Sequence, residues 1–418
     1  MNLLKISWSN LKDKKSASTL SILLLSLGIG LISLLLLLNR QLDSQFKKNI
    51  KGIDMVVGAK GSPLQLILSS IYQIDSPTGN VKLEEVNSLR RNPFVKTVIP
   101  LSMGDSYHGF RIVGTTEEYP QHFEATIKEG TLFSDVLEVT VGSKVAKEAG
   151  LQIGDLFESS HGLDGEGDTH GENKYIVKGI FEQSGTVVDQ LILTSIESIW
   201  AIHDHPEDAH DHAAEDVHEH HDGEDHDHDH DHVHAETPKE ITSALIMFRN
   251  PMGLIALPRQ INENTNMQAA LPSIEINRLF SLLGVGIDTL KAIALIIIII
   301  AGISVFISLY NSLKERKYEM ALMLSMGATR TRLFLLLLSE GLILAVIGFF
   351  TGILLSRVGM YFFNIAAEKD YHYSLANFSI LPEELTLFAG ALLLGILAAI
   401  IPSLSIYRIN ISRTLAED

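Results

Sequence analysis

The chain contains no cysteine, which excludes disulfides, thiolate nucleophiles and thiolate metal ligands. It also lacks a phosphate-cradling GxxxxGK[ST] run, since the glycine-rich stretch from Gly58 to Ser62 does not carry that spacing. Positive charge is scarce: 33 Lys and Arg face 50 Asp and Glu, for a formal net charge of −17. The stretch from His203 to Glu236 holds 14 of those acids and no Lys or Arg, and without it the net charge is about −3. Acidity is therefore the property of one insert. Nothing basic and extended enough to track nucleic acid phosphates remains, so no nucleic acid partner is expected.

What the chain has in excess is apolar length. Of 418 residues 46% are hydrophobic, and the mean hydropathy is +0.20. The apolar residues gather in runs at Ser18 to Leu38, Ala292 to Leu309, Leu333 to Leu355 and Leu385 to Ile406, each long enough to cross a bilayer core. The spacing predicts four membrane spans, at 18–38, 284–310, 333–356 and 385–407. Residues 39–283 have globular texture, enough for a core of their own. The fold class expected is an α-helical membrane protein with a large mixed α/β domain inserted between the first and second spans.

Charge sets the orientation. Lys5, Lys12, Lys14 and Lys15 precede the first run, Lys314, Arg316, Lys317, Arg330 and Arg332 crowd the segment 311–332, and Arg408 and Arg413 lie in the tail 408–418. Positive residues near spans stay cytoplasmic, so both termini and 311–332 fall on that side. The inserted domain and a short loop at 357–384 fall on the other. Lys47, Lys48 and Lys51 argue the opposite way, with little weight because a long domain follows them. The first run is too long for a signal-peptide core and Asn39-Arg40-Gln41 offers no small-residue cleavage site, so it is expected to stay as an anchor. In the leader 1–17, Leu4, Trp8 and Leu11 fall at i, i+4, i+7, the pattern of a short helix on the cytoplasmic membrane surface.

Within the inserted domain, strands are expected at Asp54 to Val57, Val95 to Pro100, Val139 to Ser143, Lys174 to Ile180, Gln190 to Thr194 and Ile241 to Phe248. Helices are expected at Leu83 to Arg91 and Met252 to Ile261. Glu158 to Glu172, glycine-rich and acidic with His161 and His170, reads as a solvated hairpin loop.

Two stretches say more. Residues 315–330 read ERKYEMALMLSMGATR, which resembles the cytoplasmic signature of FtsX/MacB-like ABC transporter permeases. Gly142-Ser143-Lys144-Val145-Ala146, Gly150 to Asp155, Val177 to Phe181 and Ser184-Gly185-Thr186-Val187-Val188-Asp189 look like that family's MacB-type periplasmic core domain. The order of one span, a large external domain and three further spans matches as well. The resemblance implies a multi-pass protein of the bacterial cytoplasmic (inner) membrane that dimerises, with a second copy or a paralogue, and works with a separate ATP-binding ATPase subunit; no catalytic residue is expected in this chain. Arg316, Lys317, Glu319, Met326, Gly327, Ala328, Thr329 and Arg330 are its implied ATPase-coupling residues. Met320, Met323, Leu324 and Met326 would rest on the membrane side, and Gly327 would permit a sharp exit into the third span. The chain departs from the family at Leu324, commonly basic, and at Ser412, frequently proline.

Glu340 lies inside the third run, where an ionisable group is costly and faces protein; an interhelical hydrogen bond is the expected role, with proton or substrate coupling as the alternative. Gly348 and Gly352 give a GxxxG spacing, which serves either packing within one chain or a dimer seam. The insert 203–236 cannot bury a core and is expected to be disordered. Its His203, His205, His210, His212, His218, His220, His221, His226, His228, His230, His232 and His234, interleaved with carboxylates, suit a transition metal, zinc first. The other reading is an acidic spacer that binds metal incidentally.

Three functions are open, the first and third implied by the resemblance and the second suggested by the histidine insert. The first is MacB-like mechanotransmission in export, with a periplasmic adaptor. The second is transport or homeostasis of zinc, with a periplasmic metal-binding protein. The third is an FtsX-like scaffold that regulates a cell-wall hydrolase.

Overall fold

The computed structural model describes residues 3–13, 15–161, 173–203, 238–371 and 380–408. The insert beyond His203, most of the Glu158 to Glu172 loop and the tail with Ser412 lie outside them. In chain order the first elements are α1 (Leu3–Asp13), α2 (Lys15–Ile50), β1 (Met55–Ala59), α3 (Pro63–Ile67, extended by a π turn at Leu68–Tyr72), β2 (Val81–Lys82) and α4 (Leu83–Ser88). Then come β3 (Val95–Tyr107), β4 (Phe110–Thr115), α5 (Glu118–His122), β5 (Ile127–Gly130), β6 (Glu138–Val141), α6 (Ser143–Glu148), β7 (Leu156–Phe157) and β8 (Ser160–His161). They are followed by β9 (Tyr175–Phe181), β10 (Ile192–Ser195), α7 (Ile196–His203), β11 (Glu240–Ile241), β12 (Ser243–Phe248), α8 (Met252–Asn264) and β13 (Met267–Ala270). Four helices end the described chain: α9 (Pro272–Glu315), α10 (Lys317–Ser325), α11 (Arg330–Tyr371) and α12 (Pro382–Leu404). The contacts divide it into two compact units, Met1–Ser44 with Phe280–Asp418, and Gln45–Leu279.

The first unit is helical. The segments Lys15–Ile50, Pro272–Glu315, Arg330–Ala367 and Pro382–Tyr407 are long and apolar enough to cross a membrane, and each contains one of the apolar runs. The helices outrun those runs. With 44 residues, α9 is about 66 Å long at a 1.5 Å rise, about twice a hydrocarbon core of ~30 Å. Residue 38 falls inside α2, because Leu42, Phe46 and Ile50 keep the helical period going. The loop expected at 357–384 is shorter than that, since α11 runs to Tyr371 and α12 starts at Pro382; aromatic and apolar residues from Met360 to Ile365 sustain the helix.

Inside this unit small residues set the spacing. A Cβ on Gly348 would come within 2.5 Å of Leu25, and one on Gly352 within 2.9 Å of the Ser26 carbonyl, so the GxxxG face of α11 packs on α2 of the same chain. The leader helix is not only a surface helix. Ser7 is fully buried while Trp8 is 47% exposed, because the polar face of α1 turns to α11. Ser7 donates to the Leu336 carbonyl and lies 2.6 Å from the Ser339 hydroxyl.

The second unit is the mixed α/β domain, inserted between the first and second apolar helices. Its main sheet runs β13-β1-β12-β3-β4-β10-β6-β9-β5, with β7 on β9 and β8 on β3; β11 and β2 form a separate pair. The pairs β10/β4 and β6/β9 are parallel and the other pairs antiparallel, so the sheet is mixed. Every strand and helix expected from the sequence has a counterpart within a few residues. The expectations fell short at β3, which is twice the expected length, and they missed β2, β4, β5, β7, β8 and β13 and the short helices α3, α5, α6 and α7. Two cores form along the sheet: one, on the β13-β1-β12-β3 half, gathers Met55, Val57, Val98, Ile246, Leu257 and Ile261, and the other, on the β4-β10-β6-β9 half, gathers Ile112, Val139, Val177, Ile192, Ile199 and Ile202. The flanks of the insert are tied together, since Trp200 Nε1 donates to the Glu240 carbonyl at 2.7 Å and Lys239 lies 5.0 Å over the Trp200 ring.

Candidate functional site

Most of the residues expected to couple to an ATPase lie on or beside α10, a helix whose two ends are set by ordinary backbone chemistry. Arg316 leaves the helical region (φ −101°, ψ 16°) and so separates α9 from α10. At the far end Gly327 has φ +96°, the Gly327 amide donates to the Leu324 carbonyl and the Ala328 amide to that of Met323. That paired closure is a Schellman motif, and the left-handed position favours glycine. Arg316 donates to Asp13 at 3.1 Å, tying the end of α1 to the break. Met320 and Ala321 are buried with Leu313, Leu333, Leu336 and Leu337, and Ile6, Met323 and Leu324 pack beside them. Met326, at the C-cap beyond the buried face, is 72% exposed. Tyr318, Leu322 and Met326 are all exposed apolar residues at i, i+4, i+8, and Lys317 and Glu319 are exposed beside them. Thr329 and Arg330 are exposed and Ala328 half-buried; Arg330 donates to the Tyr407 carbonyl at 2.9 Å. A groove of about 320 Å³ lies between α1 and α10, lined among others by Asn10, Arg316, Tyr318 and Glu319.

Glu340 is 2% exposed and accepts a hydrogen bond from Asn10 Nδ2 at 2.6 Å. The partner is on α1, a helix that the apolar pattern did not place against α11. A second buried polar group went unnoticed in the sequence. Arg357 Nη2 lies 2.9 Å from both oxygens of Glu384, and Ser33 donates to Glu384 at 2.7 Å while its hydroxyl lies 3.0 Å from that of Ser356. Glu384 is 3% exposed. The available signal was an arginine just beyond the third apolar run and a Glu383-Glu384 pair just before the fourth, opposite charges at one end of neighbouring helices.

In the mixed domain the Ser184 to Asp189 motif is a self-capped turn. Asp189 accepts from the amides of Ser184 and Gly185 at 2.8 and 2.6 Å. The same turn meets the last residues of α2, with Lys48 Nζ donating to the Ser184 carbonyl at 2.9 Å and the Val187 amide to Asn49 Oδ1 at 3.1 Å. Nearby, Lys178 Nζ lies 2.9 Å from Glu138, and Glu138 accepts from the amides of Ser134 and Asp135. The lysine contact first, and these amides in addition, hold the Glu138 carboxyl at about 2 against the opposing effect of burial. Burial pushes Arg111 down, offset by Asp75, and the guanidinium donates to the carbonyls of Gln73 and Asp75.

Of the twelve insert histidines, His203 alone is described; it ends α7. Among the described residues no three His, Asp or Glu side chains converge as a metal site.

Four apolar helices and an inserted mixed-sheet domain define a multi-pass membrane protein with a large extracytoplasmic domain. Residues 18–213 match the MacB-like periplasmic core domain and residues 291–411 the FtsX-like permease C-terminal domain. Together these matches span most of the chain, and the protein belongs to the FtsX/MacB-like ABC transporter permeases. No curated protein matches it. Among solved structures, the periplasmic region of MacB from Actinobacillus actinomycetemcomitans is 11% identical, with a TM-score of 0.33 over 56% of this chain and 97% of that one. The extracellular domain of the noncanonic ABC-type transporter YknZ from Gram-positive bacteria is 11% identical, with a TM-score of 0.30 over 51% of this chain and 98% of that one. The family assignment stands on the two domain matches.

Proposed function

We propose that this permease subunit works as a dimer in the cytoplasmic (inner) membrane of a bacterium, with a separate ATPase docked on α10. ATP hydrolysis on the cytoplasmic side then moves the extracytoplasmic domain and acts on a substrate there, as in mechanotransmission by MacB-like exporters. The observation that carries this reading is the exposed stripe of Tyr318, Leu322 and Met326 flanked by Lys317 and Glu319. It sits on a helix whose other face is anchored in the bundle, so a partner pressing on the stripe moves the bundle rather than a loose segment. Apolar anchors ringed by charge are the usual anatomy of a docking surface. The grip of the Ser184 to Asp189 turn on Lys48 and Asn49 supports the other half of the reading, because it fastens the end of the first membrane helix to the sheet.

Leu322→Glu and Glu319→Lys test it. Both are expected to lower co-purification with the cognate ATPase and permease-stimulated ATP turnover by tenfold or more, with the thermal melt unchanged. Full complex formation and turnover in both variants would overturn the assignment.

The histidine and acid composition of 203–236 supports a second reading, in which the permease serves zinc or another divalent metal with the insert as capture segment. Growth of a strain deleted for 204–236 across a zinc series tests it; growth equal to the parent at every concentration would remove it.

A further inference from the structure

The leader helix α1 is held by one face and shows another. Ile6 packs with Met320, Ala321 and Leu336, Ser7 is fully buried, Asn10 donates to Glu340, and Leu11 rests on Val305, Leu309 and Leu344. Lys5, Trp8, Ser9 and Lys12 are exposed, and positions i, i+3, i+4 and i+7 share one face of a helix. These four make a single outward stripe without an acidic member. Asp13 lies off the stripe and accepts from Arg316 at 3.1 Å. Within the stripe Lys12 Nζ stands 5.7 Å from the centre of the Trp8 ring, inside the range of a cation–π contact. An exposed indole between two ammonium groups is the composition that settles at a membrane–water interface.

The hydrogen bonds of the inward face set the depth of the helix. Ser7 donates to the Leu336 carbonyl and Asn10 to Glu340, so α1 lies beside the first two turns of the apolar run that begins at Leu333. At 1.5 Å per residue this is about 5–10 Å inside the end of that run. Interfacial helices sit at that depth, where headgroups give way to acyl chains. A lysine there keeps its aliphatic stem in apolar surroundings and reaches the phosphates with its ammonium group. A helix at a membrane surface can be indifferent to lipid type. Two lysines on one stripe, with the acid of the last turn drawn off by Arg316, favour negative charge.

We propose that Lys5, Trp8 and Lys12 form a binding face for anionic phospholipid headgroups of the leaflet in which α1 lies. The ligand is a phosphodiester anion held in a bilayer, of the phosphatidylglycerol type, with the lysines on its phosphate and the indole on its glycerol backbone. The face does not depend on the docking of an ATPase. It does place lipid charge one helix away from α10, through the shared core at Ile6 and Met320 and the pair of Asp13 with Arg316.

Trp200→Phe leaves Trp8 as the sole tryptophan and serves as the parent in the test. The full chain is placed in vesicles of phosphatidylglycerol and phosphatidylcholine in equal shares, with bromine on the acyl chains of one lipid or of the other. Bromine quenches a neighbouring indole, so the two samples report which lipid lies against Trp8. Each lysine near an anionic surface contributes about fivefold in affinity, so quenching is expected to be severalfold stronger from brominated phosphatidylglycerol. Lys5→Gln with Lys12→Gln should make the two lipids equal, while Lys5→Arg with Lys12→Arg keeps the preference. Lys47→Gln, at the other end of α2, should leave it unchanged. The replaced side chains are exposed, so the thermal melts are expected to match the parent's. Equal quenching by both lipids in the parent, or an undiminished preference in the double glutamine variant, would overturn the face. Loss of the preference on adding inorganic phosphate, at an ionic strength matched with chloride, would overturn it in favour of a soluble anion. The vesicles contain no ATPase, so failure here leaves the docking assignment to α10 standing, and failure of that assignment leaves this face.

Discussion

Asn10 on the leader helix donates to the buried Glu340 of α11 across 2.6 Å, so the costliest group in that apolar run is answered by a residue 330 positions away. Removing one partner of a buried polar pair strands the other, at about 1–3 kcal/mol. Asn10→Leu and Glu340→Leu are each expected to lower the melting temperature of the purified protein. The double variant should recover part of the loss, and Glu340→Gln, which still accepts from Asn10, should stay near the parent. Equal losses in Glu340→Gln and Glu340→Leu would show that the hydrogen bond contributes nothing.

Arg357 and Glu384 make a tighter test of the same principle, because both carry charge. Breaking a buried ion pair from one side costs about 3–5 kcal/mol. Arg357→Ala should therefore be among the most destabilising single changes in the helical unit. Arg357→Ala with Glu384→Ala should be milder than Arg357→Ala alone, and thermal melts in detergent read the order directly.

Gly327 isolates backbone strain from packing. A Cβ there would meet nothing within 4 Å, yet φ is +96°, so any penalty for substitution is conformational, of order 1–3 kcal/mol for a residue forced into a sparse region. Gly327→Val should reduce ATPase coupling more than Gly327→Asn, since asparagine tolerates the left-handed region. Identical coupling in the two variants would contradict the role assigned to this turn.

Glu138 predicts a pH dependence for the mixed domain. Its carboxyl is lowered from 4.5 to about 2, so the unfolded state binds the proton more readily and the pair's stabilisation is present above pH 4.5. As pH falls from about 4.5 to about 2 that contribution is lost. The stability difference between the parent and Glu138→Gln should thus be constant near neutrality and shrink across this window. With Trp8 replaced by Phe, Trp200 remains as the sole tryptophan and reports on this domain by fluorescence.

How much of this was legible beforehand depends on the range of the interaction. The four apolar helices, the strands around Val139, Val177 and Ile246 and the helix at Met252 were readable because period and turn residues are local signals. The Schellman turn at Gly327 was readable for the same reason. Contacts that depend on three-dimensional pairing were not: Asn10 with Glu340, and Ser33 with Arg357 and Glu384, join residues from distant parts of the chain. The GxxxG face at Gly348 and Gly352 shows the boundary well, since spacing announced a close approach while only the fold chose α2 as the neighbour.

The tie between Trp200 and Glu240 turns the root of the histidine tract into a socket. Because the flanks already meet, whatever lies between them closes a loop whose entropic cost rises only by about 0.6 kcal/mol per doubling of length. The domain can therefore gain, lose or exchange its insert at small thermodynamic expense, and a folded reporter with neighbouring termini should be accommodated at the same point. An addition acquired in this way does not ask the strands or helices of the domain to change with it.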